Sequence, residues 1–144
     1  MRTTAYIAMM VATLCAGCMR DEIVRFKPGN VIGPYTPAVQ AGRMLFVSGQ
    51  IALDPQTGSL VTGDIEKETR QVLTNLRTVL GSAGYDSSHV VNATVYLKNM
   101  SDYQRMNAVY ATFFSDGHYP ARVAVEVSAL PKQANIEIAV IAFK

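Results

Sequence analysis

Only two stretches of this chain repeat their apolar residues at helical spacing, and that shortage limits what the strands around them can bury. Over 64–83, "DIEKETRQVLTNLRTVLGSA", one stripe carries Ile65, Val72, Leu73, Leu76, Val79, Leu80 and Ala83, with Gly84 as the stop. The second starts at "SDYQ", a capping box with Ser101 as N-cap and Gln104 reaching back. Its stripe runs through Tyr103, Met106, Val109, Tyr110 and Phe113 and is expected to end near Gly117. Elsewhere the apolar residues alternate, as on strands. "EIVRF" (22–26) predicts a short first strand, and the Pro/Gly-punctuated 27–39 an ordered loop leading into a strand. "MLFVSGQIAL" (44–53) is a further apolar run, closed by a turn at "DPQTGS". In "VVNATVYL" (90–97), Val91, Ala93, Val95 and Leu97 share one face, and strands at 121–127 and 135–143 close the chain. The predicted order is β-β-β-α-β-α-β-β, an α+β domain with about six strands.

Two helices can cover only one face of such a sheet. Alternation assigns Asn92, Thr94, Tyr96, Arg122, Ala124, Glu126, Glu137, Ala139, Ile141 and Phe143 to the other face, so Arg122 and Glu137 are expected to share it. That mixture is too apolar for a fully wet surface and too charged for a sealed core. Burial against another subunit, with the charged groups at a site between chains, reconciles the two. Arg122 poses the sharpest question. In "YPARVAVEV" (119–127), Ala121, Val123, Val125 and Val127 take one face, and the arginine holds the first outward position. A solvated face, an ion pair with Glu126 and a grip on an anion all fit that pattern.

A length of 144 residues suits one domain, and a net charge of +2 lacks the basic excess of a nucleic-acid binder, so no nucleic-acid partner is expected. The first eighteen residues differ from the rest. Arg2, the apolar "AYIAMMVATL" (5–14) and "LCAGC" (14–18) resemble a bacterial lipoprotein signal, with Cys15 where leucine is usual. The expected organisation is a signal at 1–18 with Cys18 lipidated, a linker at 19–22 and one domain at 23–144. This implies export to the periplasmic side and a lipid anchor in a bacterial membrane. A start codon assigned too far upstream would instead leave the protein cytoplasmic. Residues 21–144 contain no cysteine, so neither a disulfide nor a thiolate-bound metal is available there.

Four blocks, "IGPYTPAVQAGRMLFVSGQI", "NAVYATFF", "YPARVAVEV" and "NIEIAVIAF", occur in one order and together resemble the Rid (YjgF) family of reactive imine and enamine deaminases. The resemblance covers the chain from about Ile23 to Lys144. It implies a Bacillus chorismate mutase-like fold, with a mixed six-stranded sheet, two helices on one face, and a homotrimer with ligand clefts between subunits. It also implies roles. Arg122 would bind a substrate carboxylate, Glu137 would position the attacking water, and Tyr35 would join them as a catalytic residue. Ser48 and Asn107 would contact substrate, with Ala124 standing where many members carry cysteine. No metal and no cofactor are implied, and the partners would be small 2-imino and 2-oxo acids.

Those residue types suit that chemistry. A planar guanidinium holds a carboxylate at two points and so fixes its orientation. Water addition to a neighbouring C=N carbon wants a carboxylate within hydrogen-bond reach as proton acceptor. Two alternatives stay open: a trimer that binds small carboxylates without turning them over, and a ribonuclease. Near-neutral charge and the lack of a histidine pair or basic stripe count against the last.

Overall fold

The structure is a computed structural model, and it describes residues 22–29, 31–114 and 117–144. The predicted signal, with Cys18, lies outside the described residues. Six strands and two helices follow the expected order: β1 (Ile23–Phe26), β2 (Ala38–Ala41), β3 (Met44–Gln50), α1 (Ile65–Ser82), β4 (Val90–Leu97), α2 (Tyr103–Tyr110), β5 (Ala121–Glu126) and β6 (Ile136–Phe143). The strands form one sheet in the order β1-β2-β3-β6-β4-β5. Only β4 and β5 run parallel, because α2 provides the crossover between them, so the sheet is mixed.

The core lies between the sheet and the two helices. Val72, Leu76 and Leu80 of α1 are buried with Leu45, Val95, Leu97, Ile136 and Ile138, which confirms the predicted stripe. Asp64 caps α1 by accepting from the Lys67 N–H at 2.8 Å. Two polar residues that the stripe did not include are also buried. Thr69 donates to the Ile65 carbonyl, and Glu68 accepts from the Asn135 backbone N–H (3.0 Å) and side-chain amide (2.6 Å), which ties α1 to the loop entering β6.

The second helix departs from the sequence reading. Ser101 is not its cap; Met100–Asp102 form a 3-10 turn, and Asn99 accepts from the Ser101 N–H at 2.9 Å. The helix then ends at Tyr110 and tightens into a 3-10 turn at Ala111–Phe113, well short of Gly117. A capping box needs an extended first residue, and Ser101 sits inside the turn.

Two strand faces also differ. Opposite β6, an extra residue between Val90 and Asn92 makes a bulge, so Val90 is buried and Val91 is exposed. On β5, Ala93 opposes Arg122 and Val95 opposes Ala124 in parallel register, which puts both β5 residues on the helix side. Val123 (50% exposed) and Val125 (37%) face the uncovered side instead. The expected arrangement of β5 is therefore inverted. Alternation tells which residues share a face but not which face the helices cover. Exchanging arginine for valines makes the uncovered face more apolar than predicted, with Phe46 and Phe143 each 44% exposed beside them.

Candidate active site

Because β5 presents Arg122 to the helices, its surroundings come from α2. Its Nη2 donates to the Tyr103 hydroxyl at 3.1 Å, and its guanidinium carbon lies 4.6 Å from the Tyr110 ring centre and 5.6 Å from that of Tyr103. Among the described residues no carboxylate lies within 4.0 Å of it. Glu126, the partner a bland ion pair required, accepts from the Met100 N–H at 2.7 Å. Asn107 Oδ1 and Tyr110 Oη are buried with no hydrogen-bond partner among the described residues. Burial pushes the Tyr110 phenol up to about 12, whereas hydrogen bonding with the Asn107 side chain, ahead of the Arg122 charge, lowers that of Tyr103. Arg122, Asn107, Tyr103 and Tyr110 thus form one cationic, aromatic-walled seat, with Ala124 on the same face of β5. A cation held this way, with no carboxylate within 4.0 Å among the described residues, is suited to an anionic ligand.

Glu137 lies elsewhere. It alternates with Ile136 and Ile138 of the core, so its side chain projects from the uncovered face of β6. There it rests against Gly49 in the irregular end of β3, where the register slips between Val47 and Gln50. A Cβ on Gly49 would stand 1.8 Å from Glu137 Oε1 and 2.7 Å from its Cδ. Gly49 therefore supplies space, not an unusual backbone angle. Half-burial pushes the Glu137 carboxyl above its ordinary range.

Ser48 and Tyr35 adjoin this second group. The Ser48 hydroxyl donates to the Thr36 carbonyl at 2.7 Å and its N–H to that of Pro37 at 2.9 Å, so it anchors the loop that carries Tyr35. Tyr35 is 40% exposed and lines a groove of about 320 Å³ together with Ile32, Gly49, Gln50 and Asn75. The proton of Ser48 is spent on that loop, and only its acceptor capacity stays open to a ligand.

The sequence-predicted residues thus fall into two half-sites, Arg122, Asn107 and Ala124 on the helix side of the sheet and Glu137 beside Gly49 and its neighbour Ser48 on the other, while Tyr35 lines a groove that Gly49 shares with Asn75 of α1. The expected shared face of Arg122 and Glu137 does not exist. Glu137 opposes Tyr96 on β4, which opposes Val125 on β5, three residues along from Arg122. Two strand spacings and three residue rises separate their Cα atoms by roughly 14 Å, with the side chains pointing to opposite faces. Sequence reasoning also missed three residues. Tyr103 and Tyr110 were indistinguishable from core members of the α2 stripe, although Tyr103 and Asn107 stand one turn apart on it. Gly49 carried no signal beyond its place in "SGQ".

Comparison with known proteins bears on this arrangement. The family described as Endoribonuclease L-PSP matches residues 27–144. A RutC family protein of Pyrococcus horikoshii is 51% identical over 126 residues, covering 88% of this chain and 99% of its own. The 2-iminobutanoate/2-iminopropanoate deaminase of Mus musculus is 44% identical over 124 residues, covering 86% of this chain and 91% of its own. Among solved structures, Escherichia coli TdcF with bound serine is similar at a TM-score of 0.75 and 36% identity, covering 82% of this chain and 93% of that one.

Proposed function

The chain belongs to the endoribonuclease L-PSP (YjgF/Rid) family, and from that premise we propose that it hydrolyses reactive 2-imino acids, such as 2-iminobutanoate and 2-iminopropanoate, to 2-oxo acids and ammonia. The observation that carries this reading is Arg122, a guanidinium stacked on Tyr110 with no protein carboxylate within 4.0 Å among the described residues. A 2-imino acid offers that cation a carboxylate and, on the adjacent carbon, an electrophilic C=N bond. Water adds its oxygen to this carbon while Glu137 takes one of its protons. Glu137 hands that proton to the nitrogen, giving a neutral carbinolamine, and then carries the hydroxyl proton to the same nitrogen as the C–N bond breaks, so that ammonia leaves and the C=O bond forms. The raised Glu137 carboxyl suits an acceptor that must also give the proton back.

One protomer cannot perform this reaction with both groups. The substrate carboxylate and the imine carbon are bonded neighbours, whereas Arg122 and Glu137 lie on opposite faces about 14 Å apart. The two half-sites therefore meet across subunits of a homotrimer, whose assembly also buries Val123, Val125, Phe46 and Phe143. Export and lipidation of Cys18 are part of the same proposal, as what attaches this trimer to a membrane.

A second reading is a trimer that holds small carboxylates without turning them over; the serine bound by TdcF favours it. RNA cleavage finds less support, since His89 is engaged in a local capping box with Asp86 and the net charge is only +2. The deciding experiment mixes the purified protein with freshly generated 2-iminobutanoate and follows the free imine. Hydrolysis well above the uncatalysed rate is expected, from a species whose mass by light scattering is about three times that of a mature domain a little below the 15.7 kDa of the full chain. Binding of 2-oxobutanoate with no acceleration would establish the second reading, and a stable monomer would end the intersubunit site.

A further inference from the structure

We infer that Tyr103 is a substrate-binding residue whose hydroxyl donates to the carboxylate held by Arg122, so that the pair selects ligands carrying that charge. The inference rests on reading Arg122 as a carboxylate anchor. A phenol has one proton to give and two lone pairs with which to accept. One lone pair of Tyr103 already accepts from Arg122 Nη2 at 3.1 Å. Asn107 stands one turn further along α2, on the same side of the helix as Tyr103. The pKa of the Tyr103 phenol is lowered, first by hydrogen bonding with the Asn107 side chain and next by the Arg122 charge, which makes its proton easier to share.

Because the hydroxyl accepts from Arg122, its own proton points away from the guanidinium and is free to donate. A phenol polarised by a guanidinium and an amide is a strong donor, and an anionic oxygen is its best acceptor. The position suits this role. Tyr103 is 36% exposed at the first turn of α2, so its hydroxyl can be reached, whereas Tyr110 is buried and serves as the stacking wall. The guanidinium has five N–H groups, and the contact with Tyr103 leaves enough of them for a two-point grip. Glu126, the nearest acid along β5, is occupied with the Met100 N–H and does not compete. The bland alternative is that Tyr103 merely braces the arginine and takes up one of its donors.

The two accounts differ in sign. In the full-length Tyr103→Phe protein the ring is kept over Arg122 at a partly exposed site, so folding is preserved, and a thermal melt checks this. Calorimetric titration uses 2-oxobutanoate, the stable product, and its methyl ester, which lacks the anionic oxygen. Tyr103→Phe is expected to bind 2-oxobutanoate about tenfold more weakly, as suits the loss of one hydrogen bond to a charged group, with ester binding unchanged. KM for 2-iminobutanoate should rise in parallel, while kcat stays within about threefold. Unchanged or tighter binding of 2-oxobutanoate would show that Tyr103 only occupied the guanidinium. Equal weakening for acid and ester would mean that the hydroxyl does not act on the carboxylate, and would overturn the inference too. Failure of the parent protein to bind 2-oxobutanoate at all is a different result; it removes the reading of Arg122 and Tyr103 with it.

Discussion

Arg122→Ala is expected to lower kcat/KM for 2-iminobutanoate by at least ~10–100-fold. A charge-assisted pair in a partly shielded seat contributes ~1.5–3 kcal/mol, and ~1.4 kcal/mol corresponds to one decade. The structure raises the expectation toward the upper end, because the guanidinium also fixes where the imine carbon lies. Arg122→Lys should recover little. An ammonium can still sit over the Tyr110 ring, 4.6 Å away from the guanidinium carbon in the parent, but it cannot present a two-point fork. Because Arg122 lies on the helix side of edge strand β5, each variant is first checked for folding and for trimer mass. A folded, trimeric Arg122→Ala protein that works at the parent rate would make this arginine a structural residue.

Glu137→Gln should instead depress kcat by ~10²–10⁴-fold and leave 2-oxobutanoate affinity nearly intact, since it removes the proton acceptor and keeps the anchor. Gly49→Ala provides an independent approach to the same group. Its methyl would occupy the place of Glu137 Oε1, at 1.8 Å, and force the carboxylate from its seat. We expect Gly49→Ala to lower kcat in the same direction, and the two changes together to cost little more than Glu137→Gln alone, as for residues that act as a unit. The pH profile adds a signature. The base form of Glu137 exists above its pKa, and burial raises that pKa, so kcat falls as pH drops through a limb above the usual ~4.3. That limb should vanish in Glu137→Gln. Full additivity in the double variant, or an unshifted limb, would dissociate Gly49 and Glu137 from the chemistry.

Much of the architecture was legible in the chain because periodicity is a local property. The α1 stripe and the stop at Gly84 are set by residues within a few turns of one another, and both are found in the structure. The order of strands and helices follows for the same reason. Local signals failed where two segments had to meet. The expected cap of α2 was replaced by a 3-10 turn at Met100–Asp102 that Asn99 caps, and Met100 also meets Glu126 of β5, a residue 26 positions away. The valines of β5 read as core, yet that edge strand gives Val123 to the uncovered face.

The candidate site divides along the same line. The sequence alone supplied the motifs that carry Arg122 and Glu137, because each motif is a run of consecutive residues, but not whether either residue is paired or buried. It also determined that two helices must leave one sheet face for something else to cover. Only the tertiary structure decided that Arg122 and Glu137 occupy opposite faces. Side-chain alternation has a period of two and carries no record of which face the helices will take, so a strand inverted as a whole reads the same in sequence. That one choice of face surrounds Arg122 with Tyr103 and Tyr110 and sets Glu137 against Gly49 on the opposite side of the sheet.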